Sequence, residues 1–318
     1  MVAEAPPGVR QDDPAQLQAP FRGGFRRWSE RYLGIYLSIA PFFVIFIIFG
    51  LFPIVFAGYL AFQSWDGIGP MRYVGLDQFR YLVTDANFIK SIWVTLQIWI
   101  LSTVPMLMFA LGLAFLLNQS IRGRMIYRVA YFIPNVTSLV AIAIIFSSIF
   151  GNQFGLLNAA QQGLGLDRIE WLNTPWGIKI AIATMVIWRW TGYNAIIYLA
   201  GLQAIPEDLY EAARLDGASQ WNVFIDITVP LLRPVILFTV ITSTIGGMQL
   251  FTEAQVLVGD SGGPGREGLT MVLYLYEQAF VQSQFGYGAA IGWGLFVIIV
   301  LFSIMNWRLV GRGGDDNG

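Results

Sequence analysis

Long apolar segments, separated by short polar ones, make up most of the chain. Five windows contain no Asp, Glu, Lys or Arg: Arg31 to Asp66, Lys90 to Arg122, Arg128 to Asp167, Arg233 to Glu253 and Glu277 to Arg308. A sixth window, Lys179 to Glu207, is interrupted only by Arg189. Because a helix needs about 20 apolar residues to cross a bilayer, each window predicts one span: 35–62, 91–118, 129–150, 177–203, 232–251 and 286–307.

No segment shows the alternation of a strand, so the pattern predicts an all-α polytopic membrane protein with about six transmembrane helices. Residues 31–310 form one transmembrane domain in this interpretation. Residues 1–30 are predicted to be a disordered cytoplasmic tail, and residues 311–318 a second cytoplasmic tail. The first span is too long for a cleaved signal peptide and lacks a cleavage site, so it is expected to be retained.

Basic residues predict the orientation of the spans. With the N-terminus in the cytoplasm, the inner segments carry twelve Arg or Lys residues and the outer segments carry six. Since basic residues accumulate on the cytoplasmic side of a membrane, both termini are expected in the cytoplasm.

Composition narrows the possible functions. Of the 318 residues, 56% are hydrophobic and 12% charged, whereas soluble domains contain roughly 25% charged residues. The chain has no histidine and no cysteine, which removes the usual general base, thiolate nucleophiles and most zinc sites. Its net charge of −1 argues against binding to nucleic acid. No catalytic residue and no metal site are predicted, and a membrane-embedded enzyme is excluded on these grounds.

A transporter needs a source of energy, and the sequence limits the choices. The two lysines, Lys90 and Lys179, follow isoleucines, so the chain has no phosphate-binding loop of the G-x-x-x-x-G-K-[ST] type. Arg189 is the one charge deep inside a predicted span, and no Asp, Glu or His is predicted there to support proton coupling. These features favour a partner that supplies the energy, although sodium sites made from backbone carbonyls would escape this test.

The segment between the fourth and fifth spans differs from the rest of the chain. It holds five of the twenty acidic residues within residues 207–226. Pro206 favours the first turn of a helix, Gly217 favours its end, and Ser219 can cap a second helix that runs to Pro230. The sequence therefore predicts a helix–turn–helix in the cytoplasm. An ordinary interfacial loop is the alternative, but such helices usually carry a basic polar face.

The same segment resembles a known family. Glu211-Ala212-Ala213, three residues, Gly217, nine residues, Ile227, one residue and Val229-Pro230 is similar to the cytoplasmic signature E-A-A-x3-G-x9-I-x-L-P of bacterial binding-protein-dependent ABC importer permeases. Val229 replaces the usual leucine. Further segments resemble the sugar-importer branch of that family: Tyr73–Phe79, Leu202–Ala213, Asp216–Ser219, Gly262–Pro264 and Leu275–Phe280.

The resemblance implies that the 207–230 loop is a coupling helix that sits in a cleft of a separate ATPase subunit. By position, Glu211 contacts the ATPase, Ala212 and Ala213 permit close approach, and Asp216 with Gly217 forms the turn. The family implies two ATPase subunits that bind ATP and Mg²⁺, a second homologous permease and an extracytoplasmic sugar-binding protein. It also implies a location in the bacterial plasma (inner) membrane, and no cofactor in this chain.

Two groups of residues are candidates for the substrate pathway. Trp190, Tyr193 and Asn194 form a polar and aromatic cluster in the fourth span, and Gln249 and Glu253 lie at the end of the fifth. The resemblance implies that Tyr193 and the stretch Gly247–Glu253 correspond by position to the midmembrane site of sugar permeases. The alternative for a lone polar residue is a hydrogen bond to another helix. The alternative for the aromatic residues is an interfacial belt, but Tyr193 is about ten residues from either end of its span.

Two further polar residues are left with open alternatives. Arg189 could line a water-filled cavity, or it could pair with an acid of the second permease. Gln97 in the second span is a weaker candidate for the substrate pathway.

The sequence therefore predicts a permease subunit of an ATP-driven ABC importer for a di- or oligosaccharide. The alternatives are a stand-alone secondary carrier or channel, and an ABC permease for a polyol or glycerol phosphate. The acidic loop discriminates between the first two, since a lone carrier has no reason to possess it.

Overall fold

The computed structural model describes residues 24–118 and 123–311. The chain divides into two compact units, residues 1–56 and residues 57–318. Most of the two predicted tails lies outside the described residues. The first helix begins at Gly24, so it includes the last seven residues of the segment 1–30 that the sequence predicts as tail.

The described residues are almost entirely helical, as the apolar windows predict. The α-helices are α1 (Gly24–Phe46), α2 (Phe52–Leu60), α3 (Asp77–Thr84), α4 (Ala86–Asn118), α5 (Arg124–Val136), α6 (Leu139–Ile149), α7 (Leu156–Gly163), α8 (Pro175–Gln203), α9 (Glu207–Leu215), α10 (Gln220–Asn222), α11 (Val229–Met248), α12 (Thr252–Val258), α13 (Met271–Tyr276) and α14 (Phe285–Gly311). Turns of π-helix occupy Ile47–Leu51, Val223–Thr228 and Glu277–Val281, and turns of 3₁₀-helix occupy Trp171–Asn173 and Pro264–Arg266. Two short strands, β1 (Gln63–Ser64) and β2 (Arg72–Tyr73), form an antiparallel hairpin.

Four helical segments of the described chain are long and apolar enough to cross a membrane: Gly34–Leu60, Ala86–Asn118, Gln220–Met248 and Phe285–Arg308. A fifth is formed if the bent pair α5–α6 is counted as one span. Helix α8 is not among these segments, because its tryptophans, Arg189 and Asn194 lower its mean hydropathy. With 29 residues, or about 44 Å, it is nevertheless long enough to cross a bilayer. The predicted class, an all-α polytopic membrane protein, is confirmed.

The third predicted span, 129–150, is not a single helix. Helices α5 and α6 meet at a bend of 93°. Pro134 removes a backbone donor near the end of α5, and Thr137 and Ser138 then adopt extended backbone angles. The hydrophobic pattern continues through the bend, so hydropathy alone does not reveal it.

Helices α4 and α8 are parallel and form the centre of the second unit. Near their ends, Ala110 and Ala114 of α4 pack with Ala195, Tyr198 and Leu199 of α8. Small side chains permit this close approach, as is usual between membrane helices. Their opposite ends belong to the main core cluster, in which the side chains of Ile98, Ile178 and Ile182 are fully buried.

Helix α11 runs antiparallel to α4 and α8. Leu232, near its start, packs with the last turns of α8, and the Thr239 hydroxyl lies 2.7 Å from the Tyr198 hydroxyl. Helix α11 then ends at Met248, beside the middle of α4. The fifth predicted span, 232–251, therefore ends three residues earlier than expected.

A buried carboxylate ties the ends of three helices together, at the end of the bundle far from α9. Asp85 precedes α4 and is 7% exposed. It accepts hydrogen bonds from the hydroxyls of Tyr274 in α13 and Tyr287 in α14. The backbone N–H of Asn87 donates to the same carboxylate at 2.9 Å, so three donors satisfy a buried group that would be costly to leave without partners.

A second electrostatic tie lies at the same end. Glu267 accepts hydrogen bonds from Lys90 at 2.9 Å and from Lys179 at 2.7 Å. Lys90 lies in the second turn of α4 and Lys179 in the second turn of α8, so this triad joins both helices to the segment 259–270. Burial acts to raise the pKa of Glu267, but the two lysines outweigh it and hold that pKa below its ordinary value.

This lowered pKa predicts how the stability of the fold depends on pH. A carboxylate with a lowered folded-state pKa stabilises the fold above its unfolded-state pKa, and that stabilisation is lost as the pH falls through the folded-state value. We expect Glu267→Gln to destabilise the protein by about 1–3 kcal/mol at pH 7. The apparent melting temperature in detergent should differ by a few degrees from wild type, and this difference should shrink below pH 4.5, the ordinary value for glutamate.

Glu170 is exposed and offers a matched control, since its carboxylate accepts a hydrogen bond from the side chain of nearby Asn173 at 2.9 Å and forms none of the ion pairs found for Glu267. Glu170→Gln should leave the melting temperature within about 1 °C of wild type at every pH. A difference for Glu267→Gln that grew on acidification would contradict the role assigned to the triad.

Candidate functional site

A cavity of about 470 Å³ lies in the second unit, midway along α4 and α8. Its wall is formed by α4, by the first residue of α6, by α8, by the end of α11 and by residues 249–253. The cavity therefore lies where the continuous helices of the bundle meet a helix that stops.

The end of α11 creates this cavity. After Met248 the backbone leaves the helical conformation at Gln249 and Phe251, and α12 begins at Thr252. The Leu250 carbonyl accepts a hydrogen bond from the Thr270 hydroxyl at 2.6 Å. Irregular backbone inside a membrane protein is tolerated where protein groups satisfy it or where it lines a polar cavity, and this segment meets both conditions.

All five residues that the sequence proposes for a substrate pathway line this one cavity: Trp190, Tyr193, Asn194, Gln249 and Glu253. The first three project from consecutive turns of α8, and the other two lie on the irregular segment after α11. The structure thus brings together two groups that are more than fifty residues apart in the sequence. Their role in substrate binding stays a prediction.

The cavity combines aromatic faces with hydrogen-bonding groups. The rings of Trp190 and Tyr193 meet edge to face with their centroids 5.5 Å apart. Asn194 is 3% exposed and donates to the Trp190 carbonyl at 3.0 Å, which fixes the orientation of its amide. Hydroxyl groups are supplied by Thr103, Thr242, Ser243 and Thr252.

One positive and one negative side chain face the cavity. Arg189 lies with its guanidinium carbon 5.3 Å from the centroid of the Trp190 ring. Glu253 is 6% exposed and feels the positive charge of Arg189. Of the two alternatives that the sequence leaves for Arg189, the structure places the residue on a cavity wall.

Several lining residues are absent from the sequence-based candidates. Thr103 and Met106 come from α4, Leu139 begins α6, and Thr242 and Ser243 lie on α11. The threonine and serine hydroxyls inside apolar windows are a weak signal that could have identified three of them. The weaker candidate Gln97 is not among the residues that line this cavity.

The acidic segment forms the predicted helix–turn–helix. Its second helix does not stop at Pro230, as the sequence predicts, but continues without a break from Gln220 to Met248, because Pro230 lies at the start of α11, where a missing N–H is tolerated. Helix α9 begins after Pro206 with Glu207 and Asp208 in its first turn, where negative charge favours the helix dipole. It ends at Leu215, two residues before Gly217. Gly217 has φ +75° and donates its backbone N–H to the Arg214 carbonyl. The Ser219 hydroxyl then accepts from the Asn222 backbone N–H at 3.2 Å and caps α10.

The five residues proposed for coupling occupy different surfaces. Glu211, Ala212, Asp216 and Gly217 are exposed. Ala213 is 8% exposed and packs against the chain itself, so its small side chain lets α9 approach the bundle. The coupling role of these residues stays a prediction.

Exposed apolar residues surround the turn. Leu215 is 89% exposed and Trp221 68% exposed. Behind them Phe224 meets Phe115 of α4 edge to face, with ring centroids 5.4 Å apart. The segment is thereby attached to α4, to α8 through residues 204–206, and to α11 through the π-helical turn that ends at Thr228.

Neither the cavity nor the segment resembles a metal centre. Within residues 24–118 and 123–311, no group of three or more Asp or Glu side chains is placed to hold a metal ion.

The comparisons with known proteins agree on the family. The family model described as "Binding-protein-dependent transport system inner membrane component" matches residues 84–312. The chain is 37% identical over 278 residues to the arabinooligosaccharides transport system permease protein AraP of Bacillus subtilis (strain 168), covering 87% of this chain and 88% of that protein. It is 35% identical over 285 residues to the lactose transport system permease protein LacF of Rhizobium radiobacter, covering 87% of this chain and 95% of that protein.

A solved structure agrees on the fold. One chain from the crystal structure of a bacterial alginate ABC transporter, in complex with an alginate pentasaccharide-bound periplasmic protein, matches with a TM-score of 0.80 and 22% identity. The match covers 91% of this chain and 98% of that chain. At this identity the likeness concerns the fold alone. The family match and the two relatives establish that this chain belongs to the family of inner membrane components of binding-protein-dependent transport systems.

Proposed function

We propose that this chain forms half of the translocation pathway of an ATP-driven importer for a di- or oligosaccharide. The observation that carries the proposal is the cavity between α4, α8 and the end of α11, which combines two aromatic rings with amide and hydroxyl groups. Sugars offer C–H faces that stack on aromatic rings, and hydroxyls that bond to such polar groups. The relatives named for arabinooligosaccharides and lactose support a saccharide as the substrate.

In this proposal, the acidic segment 207–230 transmits the energy of ATP hydrolysis to the cavity. A separate ATPase subunit receives α9 in a cleft, with Glu211 and Gly217 at the contact. When two ATPase subunits close on ATP, they displace α9, and α8 and α11 carry the displacement to the cavity. The cavity then opens alternately to the two sides of the membrane, as a transporter with a central site requires.

The expected surroundings follow from the same proposal. The end that carries α9 faces the cytoplasm, in agreement with the excess of basic residues on that side. Both termini are then cytoplasmic, in the plasma membrane of a bacterium. The partners are two ATPase subunits that bind ATP and Mg²⁺, a second homologous permease and an extracytoplasmic sugar-binding protein.

A stand-alone carrier is not favoured, since the chain belongs to a family whose members work in binding-protein-dependent systems. A polyol or glycerol phosphate is the remaining alternative for the substrate. The cavity volume of about 470 Å³ lies within the range of pockets that enclose drug-sized ligands, which favours a substrate with more than one ring.

The composition of the intact complex tests the proposal. The chain is tagged at its C-terminus in its own host, extracted in a mild detergent and analysed by quantitative mass spectrometry. We expect about two copies of an ATPase and one copy of a homologous permease for each copy of this chain. As a control, an unrelated tagged membrane protein of the same host should not recover these partners. Recovery of the chain alone, in a detergent that preserves other complexes of the host, would overturn the proposal.

A further inference from the structure

The charges on the cavity wall cancel. Of the residues that line the cavity, Arg189 and Glu253 are the only two that carry a formal charge. The other polar lining residues are neutral, with hydroxyl or amide groups. The wall that this chain contributes therefore has no net charge, although it is strongly polar.

The two charged groups are not joined in a direct ion pair. Among the described residues the ion pairs are Arg80–Asp77, Lys90–Glu267, Lys179–Glu267, Arg214–Glu207 and Arg266–Glu277. Arg189 and Glu253 interact through their charges at longer range. The cavity lies against both groups, so a bound molecule can contact both.

Arg189 retains unused hydrogen-bonding capacity. Its Nε atom is buried and has no hydrogen-bond partner in the described part of the chain. The Glu253 carboxylate belongs to a residue that is 6% exposed and lies near the backbone N–H groups of Glu253 and Phe251. Buried polar groups are normally satisfied, so the Arg189 Nε atom points to a polar ligand in the cavity.

The chemistry of the missing partner follows from these groups. Arginine only donates hydrogen bonds, and an ionised carboxylate only accepts them. A hydroxyl group both donates and accepts, so neighbouring hydroxyls of a sugar ring can satisfy Arg189 and Glu253 together. A carboxylate or sulfonate on the sugar would satisfy Arg189, but it would place a second anion close to the Glu253 carboxylate, and the two negative charges would repel each other.

We propose that Arg189 and Glu253 act as a balanced pair that selects uncharged saccharides and disfavours acidic ones. This inference rests on the proposed function, because it concerns the same cavity. It goes further in assigning the charge class of the substrate to two named side chains. Glu253 supplies the discrimination, and Arg189 compensates its charge and donates to the substrate hydroxyls.

Equilibrium binding to the purified complex tests the inference. The complex of this chain with its second permease and ATPases is prepared without the sugar-binding protein, which would impose its own selectivity. The probes are radiolabelled neutral trisaccharides of several compositions and trisaccharides of uronic acid units, measured by scintillation proximity. The ratio of the affinities for the best neutral probe and its uronic counterpart is the quantity compared between variants.

We expect wild type to bind the neutral probe at least about tenfold more tightly than its uronic counterpart, since tenfold corresponds to the free energy of one charge-assisted hydrogen bond. Glu253→Gln should shift the ratio at least about tenfold toward the uronic probe, because Arg189 then acts alone. Arg189→Gln should shift it the other way. The double variant should return the ratio toward that of wild type. Asp77→Asn, which removes an exposed acid far from the cavity, should leave the ratio unchanged.

Two results would overturn the inference alone: equal affinity of wild type for both probes, or an unchanged ratio in Glu253→Gln. If Glu253→Gln fails to assemble, as judged by gel filtration, Arg189→Gln still provides the test, and an unchanged ratio there is equally decisive against it. If wild type binds no trisaccharide of either class, the proposed function fails and takes this inference with it.

Discussion

Replacing Gly217 by proline is expected to lower substrate uptake by about 100-fold or more, with the protein still folded and inserted. Gly217 has φ +75° and donates its backbone N–H to the Arg214 carbonyl. Proline fixes φ near −65° and has no N–H, so the turn between α9 and α10 cannot form. The loss of such a turn costs about 3 kcal/mol, which lowers the population of the native turn by a factor of about 100. Uptake of labelled substrate by whole cells, normalised to the amount of the chain in the membrane, measures the effect.

The neighbourhood of Gly217 offers a matched control. A Cβ atom at this position would meet no atom within 4 Å, so side-chain size is not at issue. Gly217→Asn should therefore keep most of the uptake, since asparagine tolerates positive φ better than most other residues that carry a side chain. Normal uptake by Gly217→Pro, or by Glu211→Lys on the exposed face of α9, would contradict the assignment of this segment to coupling.

Replacing Gly192 by valine is expected to destabilise the second unit by about 3 kcal/mol or more. A Cβ atom at Gly192 of α8 would lie 1.8 Å from the backbone carbonyl oxygen of Tyr131 in α5. Neither helix backbone can yield locally, so α5 must move away from α8. The apparent melting temperature of the purified chain in detergent should fall by about 5 °C or more, and the yield of inserted protein should fall with it.

Gly112 of α4 provides the comparison for Gly192. It is also helical, and a Cβ atom there would meet nothing within 4 Å. Gly112→Ala should leave the melting temperature unchanged or raise it slightly, since alanine favours a helix over glycine. If Gly192→Val were as stable as Gly112→Ala, the close contact between α5 and α8 would have no energetic consequence.

The helix–turn–helix of the acidic segment could be predicted from sequence because residues with strong local backbone preferences specify it. Pro206, Gly217 and Ser219 each act on their own turn of backbone, and the structure uses all three as predicted. The residues of the cavity could be proposed for a related reason. A polar side chain inside an apolar helix must face protein or water rather than lipid, which brings Asn194 and its neighbours to an interior wall.

The features that the sequence did not predict depend on contacts between distant residues. The bend between α5 and α6 and the end of α11 at Met248 both lie inside apolar windows, where a continuous helix is equally compatible with the pattern. What stabilises the irregular backbone after Met248 is the Thr270 hydroxyl, twenty residues away. The tie between Asp85 and Tyr287 spans 202 residues. Such pairings have no local signature.

A tilt of helix α8 about one end displaces each of its residues in proportion to the distance from that end. Arg189 lies fourteen residues, or about 21 Å, from the end of α8 at Gln203. If α8 tilted about Gln203, each degree of tilt would displace the cavity wall at Arg189 by about 0.4 Å. If α9 couples to an ATPase as proposed, a rotation of a few degrees driven through α9 would break or make a hydrogen bond to Arg189. In that mechanism, a small rotation at one end of α8 would be enough to change the affinity of the cavity about 21 Å away.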